Sequence, residues 1–133
     1  MISLGTGLIA SWFVSDLLLD PSRHRKEESI RHVIQAIGSS SVEKGNAFWK
    51  KVGSVATLTA PSIYKSYSKV YNDPNVDIVY IATPHALHLV NALDAINNLK
   101  HVLCEKPITI TAKDAKKLAA AAQEKGVFLM EGL

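Results

Sequence analysis

Along this chain, short continuous apolar runs alternate with longer stretches in which apolar residues recur every three or four positions. Ile2 to Leu4 is a brief apolar run halted at Gly5-Thr6-Gly7, and the segment from Leu8 to Leu19 then repeats apolar residues at helical spacing. The pattern predicts a strand, a tight turn and a helix, with Ile9, Trp12, Phe13, Leu17 and Leu18 on one broad face and Asp20-Pro21 ending it. The charged stretch "SRHRKEESIR" predicts a solvated loop. "HVIQAIGSSS" offers a second strand of roughly five residues running into a polar turn, and Glu43 to Val52 is a second helical stretch. "VATLTAPSIYKSY" holds a third short strand near Ile63, and "SKVYNDPNVD" reads as a short helix closed by an Asp-Pro turn.

The second half is more strongly patterned. "VDIVYIATP" is an apolar run of the kind found in a strand covered on both faces, which is typical of a parallel sheet, and Thr83-Pro84 marks its end. Ala86 to Leu99 is helical through Leu89, Leu93 and Ile96, and "HVLCE" is another buried strand. Thr111 to Lys125 is helical with Leu118, Ala119 and Ala122 inward; Thr111 and Asp114 form a capping-box variant, and Gly126 closes the helix before a last strand in "VFLME". Strands alternating with helices throughout predict an α/β fold, a doubly wound, mainly parallel sheet of the Rossmann type, as one nucleotide-binding domain over residues 1–133.

Composition narrows the function classes. At 133 residues and 47% hydrophobic, the chain buries a real core, and its net charge of +3 is too mild to argue for a nucleic-acid surface. Cys104 is the single cysteine, so no intrachain disulfide and no cysteine-based zinc motif can form, and a reducing, cytoplasmic setting is expected. Ser11, Ser15 and Asp16 interrupt the apolar stretch Leu8 to Leu19, and no basic segment precedes it, so it reads neither as a signal peptide nor as a membrane span.

Four segments carry candidate chemistry. Gly5-Thr6-Gly7-Leu8-Ile9-Ala10 matches G-x-G-x-x-A between a strand and a helix: one glycine for the turn, a second where backbone must approach a pyrophosphate, and a small residue where helix packs on strand. An NAD site wants an acid after the second strand to take the ribose hydroxyls, but that place is "GSSS", with no acid until Glu43, which disfavours NAD. Ser39, Ser40 and Ser41 could hydrogen-bond a 2′-phosphate, with Lys44 adding charge, although a plain serine-rich turn is an equally good reading. Thr83-Pro84-His85 and Cys104-Glu105-Lys106-Pro107 both follow buried strands, and ligands bind beyond the carboxyl ends of such strands. By position alone Lys106 is better read as a solvated charge than as a donor to a substrate hydroxyl. His85 and His88, three apart, lack the ligand count for a metal, and no serine sits in a nucleophile elbow.

Taken together, "LGTGLIA", "VDIVYIATPHALH", "CEKPIT" and "GVFLMEG" resemble the Gfo/Idh/MocA oxidoreductases, the family of glucose–fructose oxidoreductase and inositol dehydrogenase, over essentially the whole chain. Within that family, "ATPHALH" with "VLCEKPIT" most resembles the dimeric dihydrodiol dehydrogenases and the NADP-dependent D-xylose 1-dehydrogenases. The resemblance implies an NADP-dependent dehydrogenase acting on CH–OH groups of sugars or dihydrodiols, with Lys106 beside the nicotinamide and the substrate hydroxyl. It implies that Gly5, Gly7 and Ile9, with Thr6 and Leu8 between them, border the pyrophosphate. Thr83, Pro84 and His88 would line the nicotinamide ribose side, Glu105 and Lys106 would hold the cofactor, and Ser39 and Ser40 would meet the 2′-phosphate. NADP-dependent relatives often carry Ser-Arg after the second strand, and here Ser40 replaces the arginine. Relatives continue into a C-terminal substrate domain, expected to be absent from this chain, and form homo-oligomers when full-length. The competing reading is a non-catalytic nucleotide-binding or interaction module left by truncation.

Overall fold

The computed structural model describes residues 1–24, 26, 29, 32–53 and 59–132. Six strands form one sheet: β1 (Ile2–Leu4), β2 (Ala36–Gly38), β3 (Ser62–Tyr64), β4 (Ile78–Ile81), β5 (His101–Cys104) and β6 (Leu129–Glu131). Their order is β3-β2-β1-β4-β5-β6, and every neighbouring pair is parallel. The chain builds outward from β1 in one direction and then returns to start again at β4, which makes the β1/β4 boundary the topological switch point of a doubly wound fold. The helices are α1 (Leu8–Leu17), α2 (Pro21–His24), α3 (Val42–Val52), α4 (Tyr67–Tyr71), α5 (His88–Asn97) and α6 (Ala112–Lys125).

Because successive side chains of a strand point to opposite faces, β4 feeds two cores at once. Val79 and Ile81 join Val70, Ala92, Ile96, Val102 and Leu118 beneath α4, α5 and α6. Tyr80, from the same strand, joins Ala10, Val14, Ile37, Phe48 and Val52 beneath α1 and α3. That two-sided burial is what makes "IVYIA" read as an unbroken apolar run.

Helix ends follow local chemistry. The Ser41 hydroxyl accepts from the Lys44 amide at 3.2 Å to start α3, and the Thr111 hydroxyl accepts from the Asp114 amide at 3.1 Å to start α6. Gly126 ends α6 in the left-handed region, φ 65°, where a glycine carries no steric penalty.

Several sequence expectations need correction. Helix α1 buries Ala10, Ser11, Val14 and Leu17, while Ile9 and Trp12 are exposed. The glycine turn sets the rotation of the helix so that small Ala10, rather than the bulky residues beside it, meets the sheet. Ala119 is likewise exposed, with Leu118 and Ala122 carrying the contact of α6. The second strand has three residues rather than five, and the fifth helix begins at His88 after a 3-10 turn at His85–Leu87. Part of the expected charged loop folds as α2, and residues 25, 27, 28, 30, 31 and 54–58 lie outside the described residues.

Candidate functional site

The strand registers bring the chemistry-bearing segments to one rim. Leu4 pairs with Gly38 and with Ile81, Ile81 pairs with Cys104, and Cys104 pairs with Glu131. The residues that follow, Gly5, Ser39, Ala82 and Glu105, therefore leave the sheet at one level, at the carboxyl ends of the strands on either side of the switch point. Backbone bonds extend this alignment one step, from the Gly5 amide to the Gly38 carbonyl at 3.1 Å and from the Glu105 amide to the Ile81 carbonyl at 2.9 Å.

At the first turn Gly5 has φ +96°, and a Cβ there would stand 2.5 Å from the Ala82 carbonyl oxygen, so both backbone shape and the neighbouring strand demand glycine. Gly7 differs: it caps α1 with extended backbone and no side-chain cap, and a Cβ there would meet nothing within 4 Å. An open helix N-terminus with no side chain over it is an anion cradle. Leu8 and Ile9, the first residues of the helix, are exposed beside it. From this cradle a cleft of about 550 Å³ runs between α1 and α3, lined by Thr6, Gly7, Ser11, Lys44 and Lys51 among others. Lys51 donates to the Ser11 hydroxyl at 3.4 Å, and Ser11 donates to the Leu8 carbonyl at 2.7 Å. No sequence motif marks Lys51; it lies seven residues after Lys44, which puts both on one helical face.

The serine turn divides its labour. Ser41 is spent on the α3 cap, Ser40 is exposed at the rim, and Ser39 is buried with its Oγ lacking a hydrogen-bond partner, the one such side-chain atom among the described residues. Glu43 bonds to its own amide and to the Ser41 hydroxyl, contacts that hold its carboxyl below the usual range. Its charge belongs to the helix start, and no carboxylate follows β2 directly.

Across the switch point, the loop after β5 carries Lys106 between two anchored residues. Glu105 accepts a 2.6 Å hydrogen bond from the Tyr80 hydroxyl, and Tyr80 is stacked on Phe13 with ring centroids 4.0 Å apart. Burial, with Glu105 adding to it, raises the Tyr80 phenol well above its ordinary range, so it stays a donor. On the other side, the Ile108 amide donates to Glu131 at 2.7 Å and the Pro107 carbonyl lies 2.8 Å from His88 Nδ1. Lys106 itself is exposed at the rim. The sequence pattern places Tyr80 only within a strand, and its pairing with Glu105 joins residues 25 apart, a contact no local pattern announces.

Thr83 and Pro84 stand at the rim, with the Thr83 hydroxyl accepting from Asn91 at 3.0 Å. His88 does not join them there: it is 0% exposed, and both ring nitrogens are engaged by backbone carbonyls, so it stands behind the rim rather than lining it. Cys104 is buried beneath the loop, and burial, with Glu105 and Glu131 behind it, pushes its thiol up to about 12. No helix among the described residues is long and apolar enough to cross a membrane.

Residues 3–133 match the family model described as oxidoreductase family, NAD-binding Rossmann fold (Gfo/Idh/MocA). The chain is 42% identical over 131 residues to the D-xylose 1-dehydrogenase (NADP(+)) of Hypocrea jecorina, covering 98% of this chain and 32% of that protein. It is 33% identical over 130 residues to the trans-1,2-dihydrobenzene-1,2-diol dehydrogenase of Mus musculus, covering 98% and 35%. Among solved structures, an NAD binding oxidoreductase from Klebsiella pneumoniae superposes with TM-score 0.84 at 27% identity, covering 98% of this chain and 33% of that one. The 3-ketoreductase KijD10 from Actinomadura kijaniata, solved with NADP, superposes with TM-score 0.79 at 28% identity, covering 98% and 37%. The chain thus spans about a third of the length of the curated relatives it matches.

Proposed function

This chain belongs to the Gfo/Idh/MocA oxidoreductase family, and from that premise we propose that it is the NADP(H)-binding domain of a dehydrogenase acting on a CH–OH group of a sugar or diol. The observation that carries the proposal is the convergence at the switch point: a glycine turn that only glycine fits, an open helix N-terminus beside it, and a lysine-bearing loop at the same level across β1 and β4.

The residues present suit a phosphorylated dinucleotide. The amides at the start of α1, left open by Gly7 and bordered by Thr6, Leu8 and Ile9, would receive the pyrophosphate. The unpartnered Ser39 hydroxyl and exposed Ser40, with Lys44 on the cleft wall, would receive the 2′-phosphate, and the absence of a free carboxylate after β2 favours NADP over NAD. Thr83 and Pro84 would border the nicotinamide ribose. The bound cofactor supplies a hydride acceptor or donor at C4 of its nicotinamide. Lys106 would contact the substrate hydroxyl and move its proton as the carbon loses hydride, held at the right place by Glu105 on one side and Pro107 on the other. The relatives named above are dehydrogenases named for D-xylose and for a dihydrodiol, which supports this substrate class.

A fluorescence titration of the chain with NADPH, and in parallel with NADH, tests the proposal. Saturable binding that favours NADPH is the expected result. Binding of neither would leave the family fold without its cofactor, and a preference for NADH would overturn the reading of the serine turn.

A further inference from the structure

Helices α1 and α3 enclose the cleft that opens at the glycine turn, and its charge is one-sided. A Cβ on Gly45 would collide with the Ile63 side chain, so α3 lies directly on β3 and holds a fixed place beside α1. The face of α3 turned to α1 carries Lys44 and Lys51 beside a floor of buried Phe48, while Thr6 and Ser11 border the cleft from the turn and from α1. No carboxylate is among the described residues that line it. We infer that this cleft is a phosphate-monoester subsite in which Lys51, tethered by Ser11, sets the preference for a 2′-phosphorylated nucleotide.

Lys51 lies two turns further along α3 than Lys44, about 10 Å by the helical rise. Side chains of a helix lean toward its N-terminus, so Lys51 reaches back up the cleft toward Lys44 and the rim. Its ammonium meets Ser11, donating to Oγ at 3.4 Å, while the buried Ser11 hydroxyl donates to the Leu8 carbonyl in the first turn of α1 at 2.7 Å. Ser11 stands one turn into the helix that Gly7 caps, so the tethered cation sits roughly 6 Å along the axis from the open amides. An ammonium carries three donors, and 3.4 Å is the long end of hydrogen-bond range, so this bond exchanges readily for one to a phosphate oxygen.

The inference rests on the NADP(H) reading proposed above and adds Lys51 to it. With the pyrophosphate on the α1 amides, a phosphate on the ribose 2′ position would fall on the α3 side, between the serine turn and the two lysines. Ser40 offers a hydroxyl there and no charge, and Glu43 is held at the helix start by the Ser41 hydroxyl and its own amide. The attraction is therefore left to the lysines of α3. Two compact charges lack the planar fork of an arginine, but the apolar floor beside them limits screening by water.

The test is calorimetric titration of the chain with adenosine 2′,5′-bisphosphate and with 5′-AMP, two nucleotides that differ only in the 2′-phosphate. The expected result is that the bisphosphate binds at least about tenfold more tightly, and that Lys51→Met, which keeps an apolar stem, shrinks this ratio at least about threefold while leaving 5′-AMP unchanged. Lys50→Met removes the same charge from the neighbouring exposed position, outside the residues that line the cleft, and should leave the ratio as it was. Equal affinity for the two nucleotides, binding of neither included, would overturn the inference. So would a Lys51→Met protein whose ratio matches that of Lys50→Met. If NADPH fails to bind while the bisphosphate keeps its advantage, the dinucleotide reading falls and the subsite stands; if NADPH binds and Lys51→Met changes nothing, the reverse holds.

Discussion

Alanine at the two glycines of the first turn separates what the fold needs from what a ligand needs. Gly5→Ala places a Cβ 2.5 Å from the Ala82 carbonyl oxygen and 2.9 Å from its carbon, where ordinary contact begins near 3.4 Å, so β1 and β4 must part by most of an ångström. The positive φ adds roughly 1–2 kcal/mol for any residue with a Cβ, and overpacking against backbone adds about 1–3 kcal/mol. The sum, about 2–5 kcal/mol, is a large fraction of the stability of a single domain. Gly7→Ala meets nothing within 4 Å and needs no unusual backbone, so its cost is that of a poorer helix cap, below about 1 kcal/mol. Its methyl nevertheless stands where a pyrophosphate would approach, and NADPH affinity should fall at least about tenfold, or 1.4 kcal/mol. Urea denaturation followed by circular dichroism measures the first effect, and the NADPH titration measures the second. A Gly5→Ala protein within about 0.5 kcal/mol of the parent, a change typical of an innocuous surface substitution, would refute the tight approach to Ala82. A Gly7→Ala protein that binds NADPH normally would refute the placement of the pyrophosphate.

Three further outcomes follow from single contacts. Ser40→Arg adds a guanidinium at the exposed tip of the serine turn and should tighten NADPH by roughly fivefold to tenfold, about one exposed charge-assisted hydrogen bond, while leaving NADH unchanged; parallel titrations read it, and equal gains for both cofactors would contradict it. The folded Cys104 thiol, held up to about 12, should resist alkylation at pH 8 until the chain is unfolded; because the folded value lies above the unfolded one, its contribution to stability is complete below the ordinary thiol range and is lost as pH rises through that range toward 12. Thr111→Ala removes the cap of α6 and should cost about 1 kcal/mol in urea denaturation, with NADPH affinity unaltered.

What could be read from the chain and what could not divide along one physical line: contacts that repeat locally are legible, and contacts made by closure of the sheet are not. The strands, α3, α5 and α6 follow from periodicity and caps, because Ser41, Thr111 and Gly126 act on residues within a few positions of themselves. The rotation of α1 does not follow from periodicity, since the broad apolar face it predicts includes Ile9 and Trp12, which are exposed, whereas Ala10 and Ser11 are buried. The rim was legible as a set of loops, each after a buried strand, and register then set Gly5, Ser39, Ala82 and Glu105 level with one another.

His88 shows where local reading fails and why the failure is informative. The family resemblance places His88 of "ATPHALH" beside the nicotinamide ribose, yet the residues that engage it are Thr83, five positions back, and Pro107, nineteen positions on. The same is true of Glu105, whose partner Tyr80 lies on another strand. Lys106 is thus flanked by two residues whose positions are set from β4 and α5, while its own side chain stays at the rim. A lysine on an unanchored loop would be the solvated charge that its position in the sequence describes. Under the function proposed above, anchoring on both sides limits the conformations Lys106 would have to give up to meet a substrate, which would distinguish a surface charge from a group that can move a proton at a chosen atom.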